Sequence, residues 1–460
     1  MEISVIDTLI VLGFIMVLGF IGNYIFNKTQ IPSIIWLLFF GLIVGMIFNI
    51  QEIDDQLLSQ VSSLFGAVAI VIILFDGGIN TDIHQLFRGA PRGLLLTISG
   101  FCLSFFATIL VVIGLEASGV INLGGHGIVI GAVLGAIVGG TSSPIVIPLA
   151  YRLKNLQERT KMVASIESIL TDPICIVVVF AIYYMIFIVG ELNLLLGVGN
   201  LVKTFSVGIV LGAVFGLIWL FVMNKIRKEQ FSYVITLAVV FLIYSFTALI
   251  VGTSEGGEGA GAIACLMFGL ILGNGKKILK MINYQGKGFE LEDETKQFHS
   301  LTSFVIRTFF FVYLGMIASF QSINFILIGI IILLVLLLVR YFAIYISTYR
   351  GGFETDDKQT VTVMMPRGLA AAILAISFTP LILGVGKIGS DGSVLIPGYN
   401  LGVEMQGLFM DVAFVVILGT AIITTIGVSI ISHNEMKKMK ANEPEKLDIE
   451  KINSELENEK

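Results

Sequence analysis

Two carboxylates lie within one long apolar segment of the chain, in the stretch SIESILTDPICIV at residues 165–177. Glu167 and Asp172 are five positions apart, so on a regular helix they point about 140° away from each other. A charged side chain near the centre of a bilayer costs about 2.5–3.5 kcal/mol, and such residues mark ion paths or pair with another charge. Each carboxylate therefore needs its own explanation.

Asp172 has neighbours in the sequence whose oxygen atoms suit a small cation. Ser168 lies four positions earlier, on the same helix face, and Thr171 directly precedes the aspartate. Pro173 has no backbone N–H, so the carbonyl group of Ile169 loses its usual helical partner. Carboxylate, hydroxyl and carbonyl oxygens are the ligands that hard cations prefer. The stretch therefore predicts a cation site around Asp172.

A second candidate stretch is GAIVGGTSSPIVIPLA at residues 135–150, where glycines, hydroxyl residues and a proline interrupt an apolar segment. Irregular backbone at membrane depth is tolerated where it is buried in protein or lines a cavity, and transporters use broken helices to hold ions. Thr141 and Ser142 are therefore candidate ligands, and Ser143 is a secondary candidate. The alternative is a kinked helix that packs through small residues. The residues expected at the cation itself are Asp172, Ser168 and Thr141.

Glu167 requires a positive partner if it stays ionised in an apolar segment. Arg340 is the arginine most costly to insert, because about eighteen apolar or neutral residues precede it. We therefore predict a buried ion pair between Glu167 and Arg340, which would set the register between two helices more than it would add stability. Arg307 and Arg367 are secondary candidates, and snorkelling at a membrane edge is the alternative for both.

Asp76 is a further secondary candidate, at the end of an apolar segment in ILFDGGINTD. The two glycines that follow it suggest a backbone turn. Two interpretations stay open for Asp76. It either contributes to a cation funnel or is a helix-end carboxylate that faces water.

The elements that position these residues are membrane helices. The chain is 56% hydrophobic and only 13% charged, whereas about 25% of residues are charged in a soluble domain. Apolar segments of about 20 residues recur to the end of the chain, so a cleaved signal peptide does not explain them. We predict an all-α multi-pass protein in a lipid bilayer, with thirteen spans. They lie near 5–26, 31–50, 58–79, 91–114, 125–150, 161–189, 199–223, 231–251, 259–273, 298–319, 323–348, 361–385 and 404–432.

Lysine and arginine are concentrated in alternate loops, and the other set of loops is nearly bare of them. By the positive-inside rule this predicts a plasma-membrane protein with its amino terminus outside and its carboxyl terminus in the cytoplasm. We expect residues 1–432 to form the transmembrane domain. The highly charged residues 433–460 are expected to form a solvated, partly helical or disordered tail.

Other classes of site are not indicated. Cys102, Cys175 and Cys265 lie in apolar segments without CxxC spacing, so the sequence suggests neither a disulfide framework nor a cysteine metal site. The net charge of −5 is modest and points to no nucleic-acid partner. We expect no cofactor, and no enzymatic activity.

The ordered set FDGG, GGTSSP, ESILTDP, FFFVYLGM, Arg340 and PRGLAAA resembles the monovalent cation:proton antiporter superfamily, nearest its NhaP-type sodium/proton exchanger branch. The resemblance covers residues 5–432. It implies two inverted six-helix repeats joined by the seventh span, crossed broken helices at spans five and twelve, a separate dimerisation domain, and homodimers. It also implies that Asp172 binds the cation or proton, that Glu167 and Ser168 line or brace the site, and that Glu167 pairs with Arg340.

The chain departs from that branch at two positions. The branch usually has Asn-Asp where this chain has Thr171 and Asp172, and it often has Asp where this chain has Ser143. Both replacements keep oxygen ligands but leave only one free carboxylate. Whether Na+, Li+ or K+ is the preferred cation therefore stays open.

A mechanism follows from one carboxylate that holds either a proton or a cation. The two ions compete for Asp172, and alternating access carries the loaded site across the membrane in an exchange that moves no net charge. A cation channel is an alternative, although the chain has no repeated filter motif. A Na+-coupled solute symporter would need a larger polar pocket. An intramembrane enzyme would need a catalytic pair, for which Glu167 and Asp172 are poorly placed.

Overall fold

The computed structural model describes most of the chain as helix, as the sequence predicts. The described residues are 5–29, 31–48, 55–153, 156–189, 193–226, 231–252, 256–281, 293–318, 323–376, 387–388, 394–395 and 404–442. The first helices are α1 (Val5–Thr29), α2 (Ser33–Phe48), α3 (Asp55–Ile79), α4 (Ile83–Ala117), α5 (Gly127–Val138), α6 (Ser143–Arg152) and α7 (Glu158–Tyr183), which continues as a π-helical turn over Tyr184–Val189. The others are α8 (Leu194–Ile226), α9 (Ser232–Val251), α10 (Gly257–Gly273), α11 (Gly275–Met281), α12 (Asp293–Ile317), α13 (Ile323–Thr348), α14 (Thr355–Val363), α15 (369–376) and α16 (Glu404–Asn442).

Every predicted span overlaps one helix or one pair of consecutive helices. In the described part of the chain, eight such segments are long and apolar enough to cross a membrane, and the pair α10 and α11, bent by 81°, would make nine. This confirms a multi-pass, all-α architecture, while the count of thirteen stays a prediction. The span predicted at 361–385 runs beyond residue 376, outside the described residues.

Two segments are broken in the middle, and their breaks touch. The first break separates α5 from α6 at residues 139–142, and Pro144 then lies in the first turn of α6, where its missing N–H has no cost. The second break separates α14 from α15 at residues 364–368 and contains Pro366. The backbone N–H of Ser142 donates to the carbonyl oxygen of Pro366 at 2.8 Å, so the two breaks are hydrogen-bonded to each other.

Packing divides the helices into two bundles. The core bundle consists of α4, α5, α6, α7, α13, α14 and α16, and the scaffold bundle consists of α1, α2, α3, α8, α9, α10 and α12. The bundles meet chiefly where α7 packs on α8 and α10, and where α16 packs on α2 and α12. Both broken segments therefore lie in the core bundle, and α7 lies between them and the scaffold.

The backbone turn predicted after Asp76 is wrong. Helix α3 continues through Gly77 and Gly78 and ends at Ile79. A Cβ atom on Gly78 would collide with the backbone of α10, where the amide nitrogen of Leu270 is 2.8 Å from the Cβ position. The glycine is therefore needed for close helix packing rather than for a turn, as is common between membrane helices.

The remaining described elements are short or terminal. Strand β1 (Lys387–Ile388) pairs antiparallel with β2 (Val394–Leu395), with Lys387 opposite Leu395. Helix α16 continues past the apolar segment to Asn442, so the first part of the predicted charged tail is helical. Residues 443–460 lie outside the described part of the chain.

Candidate functional site

The first break is held against α7 by a reciprocal pair of threonines. The backbone N–H of Thr141 donates to Oγ1 of Thr171 at 3.0 Å, and the Thr171 hydroxyl donates to the carbonyl oxygen of Thr141 at 3.2 Å. Both residues are buried. Because Thr171 directly precedes Asp172, this contact brings the open end of α5 beside the candidate cation ligand.

Asp172 is buried, and its one hydrogen-bond partner among the described residues is Ser143. The Ser143 hydroxyl donates to Oδ2 of Asp172 at 3.5 Å, and no described cation pairs with the carboxylate. Ser143, a secondary candidate in the sequence analysis, thus supplies the hydroxyl that is hydrogen-bonded to Asp172 in the described structure. A carboxylate without a fixed counter-ion is free to take a proton or a cation.

The other two predicted serines have different partners. The hydroxyl of Ser168 donates to the carbonyl oxygen of Ser165 at 3.0 Å, although its oxygen can still accept or ligate. The Ser142 side chain packs against Gly368 in the second break. Neither serine, nor Thr141, has a hydrogen bond to Asp172 in the described structure. Their assignment as cation ligands stays a prediction.

Arg367, in the second break, lies at the end of α5. It is buried, so its predicted alternative, snorkelling at a membrane edge, is wrong. Its Nη1 donates to the carbonyl oxygens of Gly139 at 3.1 Å and Gly140 at 2.7 Å, and its backbone N–H donates to Oγ1 of Thr420 at 2.9 Å. The carbonyl end of a helix carries partial negative charge, so the guanidinium compensates the interrupted end of α5.

Arg340 lies at the corresponding end of α14. Its Nη2 donates to the carbonyl oxygens of Val361 at 3.1 Å and Met364 at 3.2 Å. The same guanidinium pairs with Glu167 through both nitrogens, with Nη2 at 2.9 Å from Oε2. Glu167 and Arg340 are 2% and 4% exposed, so water does not screen the pair. The structure therefore brings together the two residues that the sequence pairs, and gives Arg340 a second contact that the sequence does not indicate.

Asp76 and Arg307 lie together in the scaffold bundle, on α3 and α12. Oδ1 of Asp76 accepts a hydrogen bond from Ser300 at 3.2 Å and another from Asn80 at 2.9 Å, and Arg307 interacts with Asp76 electrostatically. Both side chains are partly buried. This cluster is separate from the contacts of Asp172, and the funnel interpretation of Asp76 stays a prediction.

Sequence reasoning missed several buried polar residues of the core bundle. Oγ1 of Thr160 donates to Oδ2 of Asp357 at 2.6 Å and joins the starts of α7 and α14, with both residues buried. Asp411 on α16 has no exposed surface. A lone acid in the apolar stretch GLFMDVAFVV is the signal by which Asp411 could have been found.

We expect Thr171→Val to destabilise the protein, because valine keeps the shape but leaves the buried N–H of Thr141 without its acceptor. The expected loss in the free energy of unfolding is about 1–3 kcal/mol, measured by thermal unfolding in detergent. Thr425→Val is the matched control, since the one hydrogen bond of the Thr425 hydroxyl in the described structure goes to the carbonyl oxygen of Ala421 within α16. Equal losses in the two variants would show that the Thr141 contact contributes nothing.

No group of three or more histidine, cysteine, aspartate or glutamate side chains among the described residues could hold a metal ion. The oxygen that the described structure places at hydrogen-bond distance from the Asp172 carboxylate is the hydroxyl oxygen of Ser143.

Known proteins share this fold and sequence pattern. A family model described as "Sodium/hydrogen exchanger, transmembrane" matches residues 13–433. The Na+/H+ antiporter 1 of Methanocaldococcus jannaschii is 24% identical over 411 residues, which cover 88% of this chain and 92% of that protein. The K+/H+ antiporter NhaP of Alkalimonas amylolytica is 24% identical over 89% of this chain and 64% of its own length. The solved structure of the sodium proton antiporter MjNhaP1 from Methanocaldococcus jannaschii at pH 8 superposes with a TM-score of 0.76 and 22% identity, covering 92% of this chain and all of that one.

Proposed function

The chain belongs to the sodium/hydrogen exchanger family and is a monovalent cation/proton antiporter, and we propose that Asp172 is the group at which the two ions exchange. The observation that carries this assignment is the environment of the carboxylate. Asp172 is buried beside the first helix break, and its one hydrogen-bond partner among the described residues is a hydroxyl group. In the described structure Asp172 is not paired with a cation, whereas Glu167 is paired with Arg340, and Arg367 donates to carbonyl oxygens of the first break.

The two arginines support the same assignment. Arg367 compensates the end of α5, and Arg340 compensates the end of α14 while it holds Glu167. The partial charges of both broken helices are therefore balanced without Asp172. Any positive charge that Asp172 binds can enter and leave without breaking these contacts.

Competition at one carboxylate explains exchange. When Asp172 holds a proton or a monovalent cation the site carries no net charge, but when it is empty it exposes a buried negative charge. Moving the empty site past the apolar scaffold is costly, whereas moving either loaded form is not. We therefore propose alternating access, in which the core bundle moves against the scaffold bundle along the surfaces of α7 and α16.

We further propose Na+ as the first candidate substrate, with Li+ and K+ as the alternatives. The relatives are named as Na+/H+ and K+/H+ antiporters, so the names alone do not choose between cations. Thr171 stands where this branch usually has asparagine, and this replacement changes the ligand set that would discriminate them. We propose a homodimer, as the resemblance to this antiporter branch implies. We propose the plasma membrane as its location, with the amino terminus outside and the carboxyl terminus in the cytoplasm, on the positive-inside pattern of the loops.

The stoichiometry should be one cation for one proton, because Glu167 is already paired with Arg340 and Thr171 has no ionisable group, which leaves Asp172 as the exchanging carboxylate. In proteoliposomes with Na+ or Li+ as substrate, we expect the steady-state pH gradient to be indifferent to a potassium–valinomycin potential. Each pH unit then supplies about 1.4 kcal/mol to cation movement. The measurement is the internal pH, read with a trapped dye at several imposed potentials.

Liposomes with the Asp172→Asn variant are the control for passive leak in this experiment. A gradient that shifts systematically with the imposed potential would contradict electroneutral exchange and direct attention to Asp76 and Arg307. A channel would instead give a cation current that needs no proton gradient.

A further inference from the structure

A second carboxylate lies at the contact between the two bundles and has no role in the exchange described above. Glu258 lies in the first turn of α10 and is partly buried. Next to it, a Cβ atom on Gly259 would lie 3.4 Å from the Cα atom of Val177 and 3.4 Å from Cγ2 of Thr204. Helices α7, α8 and α10 therefore meet closely at this point, where the scaffold contacts the helix that carries Asp172.

This contact lies further along α7 than Asp172, towards the membrane side at which α7 ends. Val177 is five residues beyond Asp172, which corresponds to about 7.5 Å along the helix axis. Glu258 is thus placed roughly one and a half helical turns beyond Asp172, on a helix of the opposite bundle. By the positive-inside prediction, this side of the membrane is the outer one.

Glu258 has no stabilising partner in the described part of the chain. The structure gives its carboxylate neither a hydrogen bond nor an ion pair with a described residue. It interacts electrostatically with the phenol groups of Tyr183 on α7 and Tyr244 on α9. An unpaired acid at membrane depth is costly, and such residues usually mark an ion path.

Other polar groups surround the start of α10. Asn200 is 9% exposed, and its Nδ2 has no hydrogen-bond partner among the described residues. That Nδ2 atom lies 3.2 Å from the position that a Cβ atom on Gly256 would occupy, and Oγ1 of Thr204 lies 3.5 Å from the same position. An amide and a hydroxyl therefore lie beside Gly256 at the start of α10, two positions before Glu258 in the sequence, and each side chain, like the carboxylate, carries an oxygen that could contact a cation.

We propose that Glu258 is an access site, where the transported cation binds on its way between Asp172 and the membrane side at which α7 ends. The proposal rests on the proposed function, because it assumes that Asp172 is the exchange site. Glu258 stays on the scaffold while α7 moves, so it serves the exchange site only when that site opens to this side. A fixed negative charge there concentrates cations at the mouth of the path.

The test is the apparent KM for Na+ measured separately from each membrane face, in right-side-out and inside-out vesicles with a pH dye. For Glu258→Gln we expect the KM on one face to rise about tenfold, because the attraction of the carboxylate is lost. The KM on the other face should change less than about twofold. Because the variant does not alter the overall equilibrium, the ratio of maximal rate to KM must fall by the same factor on both faces. The maximal rate of transport from the second face should therefore fall.

Two variants serve as controls. Glu258→Asp keeps the charge and should restore most of the wild-type KM. Glu116→Gln removes an acid at the same membrane side that accepts hydrogen bonds from Gly125 and Gly127 within the core bundle, and it should leave both KM values unchanged. If Glu258→Gln protein is not monodisperse on size exclusion, Asn200→Lys puts a positive charge at the start of α10, next to Gly256, while Glu258 is intact, and it should raise the KM on the same face.

Equal changes on both faces, or no change on either, would overturn the access site. These outcomes differ from failure of the proposed function, which would appear as absent cation/proton exchange in the wild-type vesicles.

Discussion

Asp172→Asn is expected to abolish cation/proton exchange and leave the protein folded. Asparagine has nearly the same shape and can still accept the hydrogen bond from Ser143, but it neither takes up a proton nor carries a charge to attract a cation. The rate should fall to the level of empty liposomes. The measurement is Na+-driven internal alkalinisation in proteoliposomes, with size exclusion and thermal unfolding as tests of folding.

The matched control for this variant is Glu158→Gln, which changes an acid in the first turn of the same helix. Glu158 is largely exposed, and its ion-pair partner among the described residues is Lys161, so this variant should exchange at close to the wild-type rate. Exchange by purified Asp172→Asn protein at near wild-type rate would show that another group carries the ions. Direct cation binding, measured by calorimetry, should be lost in the same variant.

Breaking the Glu167–Arg340 pair is expected to give the largest loss of stability. Glu167→Gln and Arg340→Leu each leave an uncompensated charge in a site from which water is excluded, at a cost of about 3–5 kcal/mol in the free energy of unfolding. The double variant should lose less than the sum, because it leaves no orphaned charge. Arg340→Leu should be the more damaging single change, since it also removes the hydrogen bonds that Nε and Nη2 donate to carbonyl oxygens at the end of α14.

A double-mutant cycle on thermal unfolding measures this coupling. The control cycle uses Lys277→Leu and Asp82→Asn, a pair at 2.5 Å whose side chains are 39% and 35% exposed. Its coupling should be about 1 kcal/mol or less, because water screens it. Additive losses in the Glu167–Arg340 cycle would show that the buried contact is not an energetic pair.

Much of the architecture was predictable from the sequence, because membrane insertion is a property of each segment by itself. A run of apolar residues either can or cannot cross the bilayer, whatever it later packs against. For the same reason the cost of burying Glu167 and Arg340 could be read from the residues around each of them, and it predicted that they need each other. The interruption at residues 139–144 was likewise visible as glycine, hydroxyl residues and proline in an apolar run.

The ligand geometry could not be predicted in this way. Helical periodicity put Ser168 on the face of Asp172, but in the structure its hydroxyl proton goes to Ser165, and Ser143 reaches the carboxylate from another segment. The direction of a side chain at a helix break depends on backbone angles that no regular period sets. Two glycines after Asp76 were expected to form a turn, yet the helix continues through both, and Gly78 allows close packing against α10, which only the position of that helix reveals.

The sequence by itself determined which segments enter the membrane, where the first of the two broken segments is interrupted, and which buried charges need partners, since these depend on local transfer costs. Only the tertiary structure decided what lies at each break. Arg367 reaches the end of α5 across more than two hundred residues of sequence, and Arg340 reaches α14 and α7 together. Such contacts arise from the packing of helices that are distant in the chain, and no single segment contains the information that specifies them.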